Sequence, residues 1–301
     1  QRHFTAPGSV VLVEDPVYHG LRNVFDRSAV RLVGLPVTSE GVRPEDVERA
    51  ILAERPQLVV LTPNFQNPTG LTIPLASREA IARIIERYGI TLVENDIYGD
   101  LRYRGEALPT IRSLQTVSRG ILIRSFSKTV FPGLRVGWMI GPTVVTSALA
   151  EIRQWCDLHT DHLSQAILLR FKESGRLKAH LARVQEAGRQ KLDAVLEACA
   201  EHLPAGSAFT RPQGGMNLWV TLPREIDAAD LLSRARREGV TYIPGRMFSV
   251  GKVNPATLRL SFGGLPPERI RAGIATLGRL FRDELQRSEP VNRFDAAPAL
   301  V

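Results

Sequence analysis

Ile121-Leu-Ile-Arg-Ser-Phe-Ser-Lys-Thr-Val-Phe-Pro-Gly-Leu-Arg135 changes character at its middle. Ile121, Leu122 and Ile123 run together without polar alternation, which predicts a short strand buried on both faces. Arg124, Ser125, Ser127 and Lys128 follow at once, and Phe131-Pro-Gly133 then turns the chain. In an open α/β sheet, ligands bind beyond the C-terminal ends of the strands, so polar groups at such an end mark a candidate site. Lys128 there suits a Schiff-base nucleophile, whose amine works best partly desolvated and with a lowered pKa. Ser125, Ser127 and Arg135 can hold a phosphate through hydroxyl and guanidinium donors.

The same pattern recurs on both sides. Strands are expected over 10–13, 30–35, 58–61, 90–93 and 136–140, those at 10–13 and 58–61 reading as buried. Helices are expected over 44–55 and 77–88, the second capped by Ser77. Short apolar strands separated by helices predict an α/β domain with a mostly parallel sheet covered on both faces. Two further polar loops then fall at strand ends, Thr62-Pro-Asn-Phe-Gln-Asn-Pro-Thr-Gly70 and Glu94-Asn-Asp-Ile-Tyr98. If the strands are parallel, all three loops share one rim.

Beyond residue 140 the pattern changes. Helical spacing covers 143–153, 163–173 and 176–201, the last long enough to join two lobes. Strands over 216–220, 240–243 and 257–261 and helices over 228–238 and 267–285 predict a smaller α+β lobe. The expected division is a large domain over 1–175, a connecting helix and small domain over 176–287, and a disordered polar tail over 288–301.

Composition narrows the class. With 44% hydrophobic and 23% charged residues the chain is ordinary for a soluble globular protein. No stretch reaches the roughly 18 consecutive apolar residues of a membrane span. The net charge of +8 comes from arginines spread along the chain, many on helices, and reads as a solvated surface rather than a nucleic-acid arm. Cys156 and Cys199 form no disulfide or zinc pattern, so a cytoplasmic setting is expected. Cys156, His159, Asp161 and His162 crowd together, but their spacing fits no common metal site, and a structural or interface role is expected. His3 and His180 are expected to be solvated.

Three segments carry a resemblance. Thr62 to Gly70 resembles the Asn-Pro-Thr-Gly loop of class I/II aminotransferases, Ser125 to Gly137 their lysine-bearing segment, and Leu258-Arg-Leu-Ser-Phe262 their substrate-carboxylate motif. Their order and separation also fit, from Tyr18 to Arg259. The resemblance implies the fold-type I pyridoxal-phosphate-dependent transferase fold, pyridoxal 5′-phosphate as cofactor, and a homodimer with sites at the interface. It implies that Lys128 forms the Schiff base and moves the proton from the substrate Cα. Asn67 and Tyr98 would share the cofactor's ring oxygen, Tyr18 would stack on the pyridine ring, and Ser125, Ser127 and Arg135 would bind the phosphate. Arg259 would grip the substrate carboxylate, with Asn67 beside it. Met216, Asn217, Arg246 and Phe248 would lie on the substrate side.

Two departures stand out. The family's aspartate that pairs with the pyridine nitrogen sits three residues before the tyrosine, which is Asn95 here, with Asp96 next door. Either Asp96 takes the role through a shifted loop or Asn95 makes a neutral hydrogen bond. The family's large domain also begins earlier, with a phosphate-binding turn, and Gln1-Arg-His-Phe-Thr5 looks like the end of the helix after it. The sequence is therefore expected to be a fragment of a longer protein, with poor cofactor affinity if nothing replaces the missing part.

Two functions follow. The runs over 94–103, 131–138 and 258–267 look most like the C-terminal domains of MocR-type regulators of the GntR family. There a winged helix-turn-helix precedes the domain, DNA is met only through that part, and the domain senses cofactor or an amine. The alternative is a free-standing aminotransferase between an amino acid and a 2-oxo acid, like the aminoadipate or kynurenine enzymes.

Overall fold

The computed structural model describes residues 1–288 apart from Arg27 and Ser118. Val11, Leu12 and Val13 are wholly buried at the centre of the first sheet. They belong to β1 (Val10–Asp15), which pairs in parallel with β2 (Arg31–Thr38) on one side and β4 (Leu58–Leu61) on the other. Parallel pairing continues through β5 (Thr91–Asn95) to β6 (Ile121–Ser125). The edges are antiparallel: β3 (Gly41–Val42) beside β2, and β7 (Gly137–Ile140) beside β6. The order β3-β2-β1-β4-β5-β6-β7 gives the expected mostly parallel α/β sheet.

Two layers of apolar side chains form because each central strand is buried on both faces. On one face Leu12, Val59, Leu61 and Leu92 pack with Ile81 and Ile85 of α3 (Leu75–Tyr88) and with Val47 and Ile51 of α2 (Pro44–Glu54). On the other, Val11, Val13, Leu58 and Val60 pack with Phe25 of α1 (His19–Phe25).

Helix α6 (Arg176–His202) leaves the large domain after α4 (Thr143–Asp157) and α5 (His162–Glu173). Its buried residues begin at Gly188, where the helix passes Tyr103, and continue through Leu192, Val195 and Cys199. These meet an antiparallel sheet, β10-β11-β9-β8, built from β8 (Ala208–Phe209), β9 (Asn217–Thr221), β10 (Ile243–Pro244) and β11 (Thr257–Ser261). Helices α7 (Leu232–Arg237) and α8 (Pro267–Ser288) complete the small lobe, with Ile270, Ile274, Leu277 and Phe281 facing the core.

Several sequence expectations change. Helix α3 starts at Leu75 behind Pro74, so Ser77 lies inside the first turn and caps nothing. The reason is Arg78, which is fully buried: it donates to the carbonyls of Ile73, Pro63 and Pro109 and to Asn64 Oδ1, at 2.6–2.8 Å. The helix over 228–238 shortens to α7, because Asp227 caps a turn at Ala229 and Tyr242 donates to the Ala228 carbonyl at 2.6 Å. The strand over 240–243 becomes β10, since Val240 N–H donates to the Ala235 carbonyl instead of a ladder. His180 is held, not solvated: its Nε2 donates to the Thr129 carbonyl at 2.9 Å, and Phe131 stacks on its ring. Asp161 caps α5 through Leu163 and Ser164 N–H, which is its structural role. Among the described residues no group of three or more His, Cys, Asp or Glu side chains could hold a metal ion. The small lobe's last helix includes Ser288, where the tail expected over 288–301 was to begin, and residues 289–301 lie outside the described residues.

Candidate active site

Parallel pairing brings the C-terminal ends of β1, β4, β5 and β6 to one rim. A cavity of about 350 Å³ opens there. Tyr18, Asn67, Asn95, Tyr98, Lys128 and Arg259 all line it, so six of the side chains singled out from sequence converge.

The loop after β4 is fixed by its own polar residues. Glu14 accepts from Thr62 N–H at 3.1 Å, Gln66 donates to the Pro16 carbonyl at 2.8 Å, and Gln66 Oε1 accepts from Thr69 N–H at 3.0 Å. Burial pushes the Glu14 carboxyl up to about 8. The small lobe then closes on this loop: a side chain at Gly215, where φ is 74°, would come 2.6 Å from Phe65 Cβ.

At the heart of the cavity three side chains join in series. Arg259 Nη1 donates to Asn67 Oδ1 at 3.0 Å, and Asn67 Nδ2 donates to the Tyr98 hydroxyl at 3.2 Å. Arg259 lies over the ring of buried Phe248, 5.2 Å from its centroid, and its Nε has no partner among the described residues. Burial raises the Tyr98 hydroxyl pKa and lowers that of Arg259. A half-buried guanidinium with an unused N–H can take an anion as partner.

Tyr18 sits at the mouth, 43% exposed, its ring tilted 4.7 Å from that of His19. Lys128 is exposed as well, and its amine makes no ion pair or hydrogen bond among the described residues. The desolvation expected for it is not supplied by these residues. Ser125, Ser127 and Arg135 form a separate cluster beside it: Ser127 N–H donates to Ser125 Oγ at 3.1 Å and Arg135 Nη1 to Ser127 Oγ at 3.3 Å. They adjoin the cavity through Lys128 without lining it.

Asp96 is elsewhere. Its carboxylate is buried and accepts from Asn64 Nδ2 at 2.7 Å and from Arg124 Nε and Nη2 at 2.9 and 2.6 Å. Of the substrate-side expectations, Met216 and Asn217 line the cavity, Phe248 underlies Arg259, and Arg246 is exposed outside it.

Sequence reasoning missed His19, Thr62, Ile97 and Ser261, which also line the cavity. Thr62 directly follows β4 and Ser261 ends β11, so strand-end position was a usable signal for both. His19 carried none. Its Nδ1 is buried without a partner among the described residues, and burial, with Arg259 and Arg22 adding to it, lowers its pKa and favours the neutral ring.

The chain is similar in sequence to aminotransferases and to MocR-type regulators, and in structure to aminotransferases. The chain is 33% identical to aromatic-amino-acid aminotransferase 1 of Thermococcus litoralis, over 95% of its own length and 70% of that protein. It is 30% identical to the "Probable rhizopine catabolism regulatory protein MocR" of Rhizobium meliloti, over 97% of its own length and 58% of the regulator. Among solved structures, the α-aminoadipate aminotransferase LysN of Thermus thermophilus, complexed with N-(5′-phosphopyridoxyl)-L-leucine, superposes with a TM-score of 0.90 at 33% identity, covering 95% of this chain and 74% of LysN. Residues 2–277 match the sequence profile of aminotransferase class I and II, and the chain belongs to that family.

Proposed function

We propose that the chain binds pyridoxal 5′-phosphate at Lys128 and takes an α-amino acid, or a related amine, beside it. The single observation that carries this is the convergence of a free lysine amine, the Tyr98–Asn67 pair and an Arg259 with an unused N–H on one cavity of about 350 Å³. When bound, the cofactor supplies an aldehyde that captures amines and a ring that withdraws electrons.

The residues present fit that group. Lys128 Nζ is unpaired among the described residues and can serve as the covalent anchor and, once displaced, accept the proton from the ligand Cα. The Tyr98 hydroxyl and the Asn67 amide offer donors to a ring oxygen. Tyr18 offers a flat apolar face at the mouth. Ser125, Ser127 and Arg135 supply phosphate donors at the outer end. Arg259, desolvated over Phe248, binds the ligand carboxylate.

Two settings share this chemistry. A free-standing transaminase is favoured by the 33% identity to an aromatic aminotransferase over 95% of the chain. The sensing domain of a MocR-type regulator, with DNA met only through a part outside these residues, is favoured by Asn95 in place of an acid on the cavity wall. In either setting we infer a homodimer. Supporting it are Trp138, Met139 and Ile140 of β7 and Trp155, Leu158 and Leu163 nearby in sequence, all exposed and apolar. A cytoplasmic setting accords with the free thiols of Cys156 and Cys199. Among the described residues no helix is long and apolar enough to cross a membrane.

Borohydride reduction of the full-length protein with pyridoxal phosphate, followed by peptide mapping, tests the proposal. A pyridoxyl group on Lys128, lost in Lys128→Ala, is the expected result; a folded protein without the adduct would refute it.

A further inference from the structure

We propose that Asn95, and not Asp96, meets the pyridine nitrogen of the cofactor, and that its neutral amide leaves that nitrogen unprotonated. The inference rests on the cofactor reading above and concerns what this chain does with it.

The strand decides the matter. Side chains alternate along β5: Leu92 and Glu94 are buried on the α3 face, where Leu92 packs with Ile81 and Ile85 and Glu94 accepts from Ile111 and Arg112 N–H, both at 2.9 Å. Val93 points to the opposite face, among Val11, Val13 and Val60. Asn95 follows Val93 on that face and lines the cavity. Asp96 N–H donates to the Ile123 carbonyl at 2.9 Å, which continues the pairing with β6 one residue beyond the strand. Its carboxylate therefore falls on the Glu94 face.

There it is fully engaged. Three donors from Asn64 and Arg124 occupy its two oxygens, and Asn64 is in turn held by Arg78 at 2.6 Å. Bringing Asp96 round to the cavity would leave Arg124 without this ion pair and break the series through Asn64 to Arg78. It would also require a one-residue slip, which moves every side chain of the strand to the other face. Asn95, by contrast, makes no side-chain hydrogen bond among the described residues.

No carboxylate replaces the missing acid. With Lys128 taken up by the cofactor, the cavity wall holds the cationic Arg259 and the ring of His19 and, among the described residues, no aspartate or glutamate. Asp15, the acid on that face at the end of β1, accepts from Val250 and Gly251 N–H at 3.0 and 2.9 Å. Glu14 and Glu94 lie on the α3 side. With the Arg259 cation near and no described carboxylate beside it, a ring nitrogen there keeps its lone pair and accepts from Asn95 Nδ2.

The consequence separates two steps. Exchange of one amine for another at the cofactor draws little on the ring's electron withdrawal, whereas removal of the Cα proton depends on it. The site is thereby built to capture and release amines faster than it converts them, which suits sensing better than turnover.

The test uses the full-length protein loaded with pyridoxal phosphate labelled with ¹⁵N in the ring. The adduct on Lys128 is first established by reduction and mapping, and the nitrogen resonance is then read at neutral pH. Wild type is expected to report an unprotonated nitrogen and Asn95→Asp a protonated one, with single-turnover conversion of a bound amino acid rising roughly tenfold or more and its affinity little changed. A protonated nitrogen in wild type, abolished by Asp96→Asn, would overturn this inference while leaving the cofactor reading standing. Absence of any adduct overturns both.

Discussion

Arg259 Nη1 reaches 3.0 Å to the side-chain oxygen of Asn67, 192 residues earlier in the chain. The contact joins the small lobe to the large one at the cavity and leaves Arg259 Nε unused. A charge-assisted hydrogen bond contributes about 1.5–3 kcal/mol, so Arg259→Lys, which keeps charge but loses the planar fork, is expected to weaken α-amino acid binding by roughly 10- to 100-fold. An amine lacking the carboxylate should bind both proteins alike. Absorbance titration of the cofactor-loaded protein with each ligand distinguishes a carboxylate grip from a purely structural role.

Arg78 is expected to be a stability determinant, not a surface charge. It is wholly buried, and its guanidinium serves three carbonyls and Asn64. Arg78→Leu would strand those carbonyls and loosen the loop that carries Asn67. The expected cost is about 3–5 kcal/mol, measured by urea unfolding. A change below about 1 kcal/mol would contradict the role assigned here.

Glu14 predicts a pH dependence with a definite sign. Its folded pKa is raised by burial from 4.5 to about 8, so between those values the folded state holds a proton that the unfolded chain has released. Stability attributable to this group is therefore highest below about pH 4.5, falls as pH rises, and levels off above about 8. Glu14→Gln keeps the acceptor for Thr62 N–H and removes the titration. It should be the more stable protein at pH 8, by an amount on the order of a few kcal/mol, with the difference shrinking toward pH 5. Parallel unfolding curves at pH 5, 6.5 and 8 check this.

Gly188 and Tyr103 are packed so closely that a Cβ on the glycine would overlap the tyrosine ring. The Tyr103 hydroxyl donates to the Gly215 carbonyl at 2.8 Å, anchoring the loop that enters β9. Gly188→Ala is expected to cost roughly 1–3 kcal/mol despite the better helix propensity of alanine. Adding Tyr103→Leu should recover part of that loss, and a double-mutant cycle measured by thermal unfolding reads the coupling.

The amino-acid sequence alone determined that β1 and β4 are buried, because Val10-Val-Leu-Val13 and Leu58-Val-Val-Leu61 have no polar face to turn outward, whereas the apolar run of β7 is exposed. It also placed polar loops at the strand ends, and they share one rim because the strands pair in parallel. Lys128, Asn67, Tyr98 and Arg259 were legible for that reason and from their motifs. Only the tertiary structure separates Asn95, which lines the cavity, from Asp96, which does not. Both are one peptide apart, and nothing local says which follows the face of Val93; the pairing with Ile123 and the pull of Arg124 and Asn64 do. The same holds for Arg78 and His180, which look like surface residues until distant carbonyls claim their protons, and for the helix over 228–238, shortened by a tyrosine 14 residues away. Periodicity is a property of neighbours along the chain, while burial of a polar group depends on partners that only folding brings within hydrogen-bond reach.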